Sequence, residues 1–390
     1  MLRLVGLLFL TFSFVVGRAQ RFVSADEAVQ LAFGNQVNLR AANLSLQQQE
    51  QLLRGSANVQ SPQLQAEASP YEPLVVGVQQ TLSLPGVYRN RRSLQAERIN
   101  LARLQLQGSQ YDLKRAVRLS YLQLQFLSEN LRLLQYQDSI YKAIKSSSKR
   151  FFEAGQINKL EELQAATQAD RVTNNLMRTL AEMGAEQQIF RFYTGLADSF
   201  IVEHLQSYVF AAPGDTLAIT NIQQQILQQQ IAINQRQLQV NRAELLPQVQ
   251  SSILFPTTKE YVRAVGYQVG ISIPLWQRQN RSRIAAAQSA VEVARAQQQL
   301  EQQRLNAQYR QAFVNYEKEL QSLTYFNNTA LPQARAIMET SQRLFQGGQL
   351  NYIESLRNLQ TAFDIFFSHV QTHRAFNEAV IQLNYLNGTL

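Results

Sequence analysis

Apolar side chains fall at every second position in four short stretches of the chain, and at every third or fourth position through most of the rest. The alternating stretches come in two pairs. In the first pair Leu64, Ala66 and Ala68 alternate with Gln63, Gln65 and Glu67, then Val76, Val78, Leu82 and Leu84 alternate with Gly77, Gln79, Thr81 and Ser83. In the second pair Val249, Ile253 and Phe255 alternate with Gln248, Gln250 and Ser252, with Ser251 as the one polar residue on the apolar side. Val265, Tyr267, Val269, Ile271 and Ile273 then alternate with Gly266, Gln268, Gly270 and Ser272. A period of two belongs to strands with one apolar and one polar face. Over about ten residues it is the dyad of a membrane β-barrel, although a soluble sheet with one wetted face repeats in the same way. Tyr71, Phe255 and Tyr261 lie near the loop ends of these hairpins, and Tyr88 and Trp276 at the opposite ends. Those are the two levels at which membrane barrels carry aromatic girdles. Four strands cannot close a barrel, and open edges are not tolerated in lipid, so the missing strands have to come from further copies of the chain. The pattern alone leaves two, three or four copies open.

Outside the strand pairs most of the spacing is helical. A first helical stretch covers about residues 25–56. No proline interrupts the chain between Pro85 and Pro213, and the spacing over residues 88–148 predicts one helix roughly 90 Å long at ~1.5 Å per residue. Leu113, Val117, Tyr121, Leu124, Leu127, Leu131 and Leu134 form one stripe along it, and Leu119, Leu122, Phe126 and Leu133 form a second. One stripe would bury one face; two adjacent stripes suit a helix with a neighbour on each side, as in a curved wall. A second long helix is expected over residues 277–344, with a bend or short break at Pro332.

The two halves of the chain match each other. Arg150-Phe151-Phe152-Glu153-Ala154-Gly155-Gln156-Ile157-Asn158-Lys159-Leu160-Glu161-Glu162-Leu163 aligns without gaps with Arg343-Leu344-Phe345-Gln346-Gly347-Gly348-Gln349-Leu350-Asn351-Tyr352-Ile353-Glu354-Ser355-Leu356. The same offset carries Ala169 onto Ala362 and Gly195 onto Gly388. Upstream, Leu84-Pro85 matches Ile273-Pro274, and Arg89 and Arg92 match Arg278 and Arg281. An ordered set of this kind marks a duplication. The expected division is a leader over residues 1–19, a first repeat over 20–205 with strands at about 62–84, and a second over 206–390 with strands at about 247–275.

Composition narrows the function. Arg3, the apolar run over residues 4–17 and the small residues around Ala19 read as a secretory signal peptide, with the mature chain starting near Gln20. That run is shorter than the ~20 residues a transmembrane helix needs, and no later run reaches that length. The chain has no Cys and only three His (His204, His369 and His373), which removes disulfides, thiol catalysis and most metal sites. His369 and His373 are one helical turn apart, but neither a following Glu nor a third ligand accompanies them. The net charge of +9 is spread along the chain without a basic block. It reads as solvated helix faces and not as a nucleic-acid footprint. No phosphate loop, nucleophile elbow or catalytic carboxylate pair is present, so no catalytic residue, cofactor or metal is assigned.

Taken together, the duplication, the Pro62 and Pro247 entries into the strands, Leu84-Pro85 and Ile273-Pro274 leaving them, the paired turns and the closing Tyr193-Thr194-Gly195 and Leu386-Asn387-Gly388 resemble the TolC family of outer-membrane efflux and secretion ducts. The resemblance covers essentially the whole chain after the leader. It implies a mostly α fold with membrane β: a homotrimer whose twelve-stranded β-barrel in outer-membrane lipid continues into a periplasmic α-helical barrel. It also implies docking to a periplasmic adaptor (a membrane fusion protein) and an inner-membrane transporter. In that family the paired turns form the periplasmic tip, here around Gly155 and Gly348, and carboxylates just after them line a constriction. Glu161 and Glu354 match those carboxylates, with Arg343 and Arg357 as candidate neighbours; Gln164 and Arg357 stand where a second family acid would be. The competing reading is a periplasmic coiled-coil adaptor, which would carry one helical hairpin between compact β-domains in place of two copies with strands between helices.

Overall fold

The structure, a computed structural model of the chain, describes residues 21–69, 72–210, 221–256, 265–273, 278–347 and 349–390. The leader, Tyr71, Tyr261, Trp276, Pro274 and Gly348 therefore lie outside the described residues. In chain order the elements are β1 (Arg21–Val23), α1 (Ala25–Gly34), α2 (Gln36–Gly55), β2 (Gln63–Ser69), β3 (Glu72–Ser83), α3 (Pro85–Glu153) and α4 (Lys159–Thr194). They continue with β4 (Phe200–Val202), α5 (Ile222–Ala243), β5 (Gln248–Pro256), β6 (Gly266–Ser272), α6 (Arg278–Tyr325), α7 (Leu331–Gln346) and α8 (Tyr352–Asn387). No helix among the described residues is long and apolar enough to cross a membrane.

The expected boundaries need two corrections. The first helical stretch is broken at Asn35, whose extended backbone (φ −74°, ψ 97°) separates α1 from α2. Gly34 weakens the helix and Asn35 is a favoured N-cap residue, so the stop and the restart are written side by side. At Pro332 the chain neither breaks nor stays α-helical. A π-helical turn, Phe326–Ala330, joins α6 to α7. Proline has no N–H and its ring crowds the carbonyl four residues back, here Asn328, and one wider turn relieves both problems.

The chain forms two compact units. The first contains residues 21–34, 120–206 and 334–370. Its core is built from Tyr141 of α3, Ala169 and Val172 of α4, Ala334 and Met338 of α7, and Leu356, Leu359, Ala362 and Phe363 of α8. The matched alanines Ala169 and Ala362 are both fully buried, and α4 meets α8 where Gln168 Nε2 donates to Gln360 Oε1 at 3.2 Å. Away from that core, β1 pairs in parallel with β4, a contact the sequence reading does not contain. Tyr121, fully buried, ties the two strands: its hydroxyl donates to the Val23 carbonyl (2.9 Å) and accepts the Glu203 N–H (3.1 Å). Burial pushes its pKa up to about 12, so the hydroxyl stays a donor.

The second unit contains residues 35–119, 207–333 and 371–390. Its sheet is antiparallel between neighbours in the order β2-β3-β5-β6, leaving β2 and β6 as edges. The helices that feed these strands lie side by side in the same order. Gln95 of α3 donates to the Gln49 carbonyl of α2 (2.9 Å), Arg91 of α3 pairs with Glu244 beyond α5 (2.8 Å), and Asn234 of α5 donates to the Ala290 carbonyl of α6 (3.1 Å). Leu94 of α3 packs with Ile233 and Val240 of α5. Hydrogen bonding by Gln229, with Arg236 beside it, holds the Glu97 carboxyl below its ordinary range although burial pushes it up. Each helix is therefore linked to its lateral neighbours much as each strand is.

Replacing Tyr121 with Phe keeps the ring but strands the Val23 carbonyl and the Glu203 amide. We expect a loss of ~1–3 kcal/mol. A lower thermal midpoint, with faster hydrogen exchange confined to β1 and β4, is the reading that checks it; unchanged exchange there would show that water replaces the hydroxyl.

Candidate functional site

The register of the sheet sorts its residues into two faces. One face carries the rows Leu64–Val78–Ile253–Tyr267, Ala66–Val76–Phe255, Leu82–Val249–Ile271 and Gln80–Ser251–Val269. The other carries Gln63–Gln79–Ser252–Gln268, Thr81–Gln250–Gly270 and Ser83–Gln248–Ser272. In a soluble sheet the apolar face is the buried one. Here Leu64 is 82% exposed, Tyr267 78%, Val269 74% and Ile271 67%, whereas Ser252 on the polar face is 6% exposed. A contiguous exposed apolar surface of this kind is found where lipid or another protein covers it.

The polar face is not uniformly polar: Val75 and Pro256 pair on it near the loop end, and Leu254 interrupts it further in. Leu254 stands between Gly77 and Gly266 in a single row with Gln65. Its side chain lies over Gly77 so closely that a Cβ there would be 2.6 Å from Leu254 Cδ2 and 3.0 Å from the Ile253 carbonyl oxygen. Two glycines thus make a recess that takes a leucine down flat against the wall.

Of the expected girdle residues, Phe255 is 47% exposed near the loop end of β5. Tyr88 is half-buried at the opposite end, where its hydroxyl accepts the Ser83 N–H at 3.0 Å.

At the turn joining α3 to α4 the geometry follows from a few residues. Gly155 adopts φ +73°, which an L side chain rarely does. It closes a Schellman motif, with Gln156 N–H donating to the Phe151 carbonyl (2.8 Å) and Gly155 N–H to the Phe152 carbonyl (2.9 Å). The second turn repeats the outer bond, Gln349 N–H to the Leu344 carbonyl at 2.9 Å. Helix α4 then starts with a reciprocal capping box: the Asn158 side chain accepts the Glu161 N–H (3.0 Å) and Glu161 Oε2 accepts the Asn158 N–H (2.9 Å). In α8, Asn351 accepts the Glu354 N–H at 2.8 Å. The two asparagines were legible as Asn-x-x-Glu but went unassigned. Glu161 thus has a local duty, holding a helix start, in addition to any role its charge has. Arg150 donates to Ser147 Oγ at 3.2 Å, and among the described residues neither Arg343 nor Arg357 forms an ion pair with Glu161 or Glu354. Lys159 packs over the Phe152 ring at 4.9 Å and pairs with Glu162.

The two histidines one turn apart serve different neighbours. His373 Nε2 lies 2.9 Å from Ser207 Oγ, and burial, with Arg335 nearby, keeps the His369 pKa below its usual value. No group of three or more metal-ligating side chains occurs among the described residues.

The positive charge is not spread as the sequence order suggested. The helix segments nearest the sheet and the loops joining them, residues 42–62, 85–98, 230–247 and 278–291, hold ten arginines against three glutamates. Folding brings these four distant segments to one end of the sheet, so seven of the chain's nine net positive charges collect there.

No family model and no curated protein sequence matches the chain. Among solved structures it is similar to the CmeC outer membrane channel of Campylobacter jejuni, at 13% identity and TM-score 0.79 over 94% of this chain and 85% of that one. It is also similar to the outer membrane protein VceC of Vibrio cholerae (13%, TM-score 0.76, 93% and 96% covered). The open state of the MtrE outer membrane channel of Neisseria gonorrhoeae is a third such structure (11%, TM-score 0.77, 93% and 88% covered). At these identities the likeness is one of fold, and the fold of this chain is that of outer-membrane channels.

Proposed function

We propose that the protein is a passive exit duct of the outer membrane, part of an efflux pump or secretion system, and that it performs no covalent chemistry. The observation that carries the reading is the inverted sheet: its apolar rows face outward unprotected, its polar rows face the other way, and both edges are open. Three copies, each supplying four strands, close a barrel of twelve, with the apolar rows against lipid and the polar rows against water. The helices, in the same lateral order, extend the wall into the periplasm. Exposed Val37, Leu44 and Leu52 on α2 and Val293, Leu300 and Val314 on α6 lie on the edge helices, where neighbouring copies meet. A periplasmic adaptor and an inner-membrane transporter complete the assembly at the tip formed by the α3–α4 and α7–α8 turns.

The duct reading requires an integral oligomer. Purified from detergent it should have the mass of a trimer and remain in the membrane through carbonate washing; a carbonate-soluble monomer would overturn it.

The two faces of β6 should respond differently to charge. Arg at Val269 or Ile271 places a cation toward hydrocarbon at a cost of about 2–4 kcal/mol near the midplane, so assembly should fall. Arg at Gln268 meets water and should be tolerated. Equal yields of assembled oligomer from all three variants would contradict the assignment of faces.

At the tip, Glu161 and Glu354 from each copy form a ring that favours cations. Glutamine at position 161 can still complete the capping box, so the double variant Glu161→Gln/Glu354→Gln removes charge while leaving the helix starts intact. Its reversal potential in a salt gradient should shift toward weaker cation selectivity, and replacing Arg343 or Arg357 should give a leakier tip. An unshifted potential in the double variant would place the constriction elsewhere.

A further inference from the structure

We infer that the arginines gathered at the helix side of the sheet form a binding belt for the phosphate groups of anionic lipids in the leaflet where the strands end. This rests on the duct reading above. Arg89, Arg92, Arg278 and Arg283 are exposed and make no ion pair among the described residues. Arg91 and Arg236 are the belt members already neutralised, by Glu244 at 2.8 Å and Glu97 at 3.5 Å. The belt is level: the Arg91–Glu244 pair joins the second turn of α3 to the end of α5, and Asn241 of α5 reaches the Arg283 carbonyl of α6 at 3.4 Å.

Depth points to the headgroups. Ser83, Gln248 and Ser272 share one row at this end of the sheet, next to the outward apolar residues Leu82, Val249 and Ile271. From Pro85, Arg89 and Arg92 lie about 6 and 10 Å along α3 at ~1.5 Å per residue. The headgroup layer beyond the hydrocarbon is about 5–8 Å deep on each side, and an arginine head reaches several ångströms from its backbone. One of the four charges, Arg278, also sits where the fold itself disfavours it. Helices α3 and α6 both begin here, neither has an acidic residue in its first turn, and Arg278 opens α6. A helix start carries partial positive charge, so cations there are unfavourable until an anion offsets them. A guanidinium can grip a phosphate through two parallel hydrogen bonds, which suits this residue better than lysine. The residue type is uniform: residues 85–98 and 278–291 contain arginine and no lysine.

The test uses the delipidated, detergent-purified oligomer, with native mass spectrometry to count retained lipid. Wild type should retain phosphatidylglycerol in preference to phosphatidylcholine, less so as salt is raised, and inorganic phosphate should not compete. The variant Arg89→Gln/Arg92→Gln/Arg278→Gln/Arg283→Gln should lose affinity roughly fivefold per arginine, and the same four positions as Lys should bind between that variant and wild type, keeping the charge but not the paired hydrogen bonds. If the glutamine variant does not assemble, Arg89→Gln/Arg278→Gln and Arg92→Gln/Arg283→Gln decide by the same count. Retention equal to wild type overturns the proposal. So does displacement of the lipid by inorganic phosphate, which would assign a free-anion site. An unchanged lipid count with a reversal potential shifted toward cations would place the belt in the passage. A carbonate-soluble wild type would instead remove the duct reading itself, whereas an intact membrane oligomer without anionic-lipid preference removes only the belt.

Discussion

In hydrocarbon a backbone N–H or C=O has no solvent to bond with, and an unpaired one costs several kcal/mol. For a sheet of four strands placed in lipid, as proposed, the requirement falls on β2 and β6, the edge strands among the described residues. Much else in the molecule follows from it. In the proposed duct the sheet is completed by identical copies, so each copy must hold its strands in a fixed order and level. The side-by-side helices do this: the Gln49–Gln95, Arg91–Glu244 and Asn241–Arg283 contacts set α2, α3, α5 and α6 at matching heights, and each strand starts or ends where its helix places it. Several of the polar contacts between helices are amide side chains on neighbouring carbonyls, a use that suits the glutamine and asparagine these helices carry.

The strands and long helices were legible because their signals are local. Alternation located β2, β3, β5 and β6 to within a few residues, and the proline-free interval located α3. What was not legible depended on contacts across the chain. The β1–β4 pair is three residues on each side, too short for a period to register, and it exists because Tyr121 ties both strands from a helix about a hundred positions away from β1. The π turn before Pro332 is one of several ways a helix can absorb a proline, and sequence does not choose among them. The arginine belt was invisible for the same reason: its members are unremarkable one segment at a time, and only the strand order β2-β3-β5-β6 brings them together.

The turn between α3 and α4 illustrates a residue with two duties. The resemblance singles out Glu161 for its charge, and in the fold its carboxylate closes the capping box of α4. Asn158 and Asn351 were written in the repeated Asn-x-x-Glu and were readable as helix starts, so part of the similarity between the two turns reflects the common need to restart a helix after a sharp reversal. Charge and capping are separable because glutamine preserves the second and not the first.

The recess around Leu254 links three positions that are far apart in sequence. A methyl group at Gly77 would occupy space that the leucine already fills, and the carbonyl of Ile253 closes off the other side. Position 77 is therefore free to vary only when position 254 shrinks in step, while Gly266, where an added Cβ would sit 3.4 Å from Leu254, has slightly more latitude. Descendants of this sequence should drift at these sites as a linked set, with bulk at 77 traded against bulk at 254, so that co-variation would carry a record of the wall's local geometry even after every other identity in the strands has been lost.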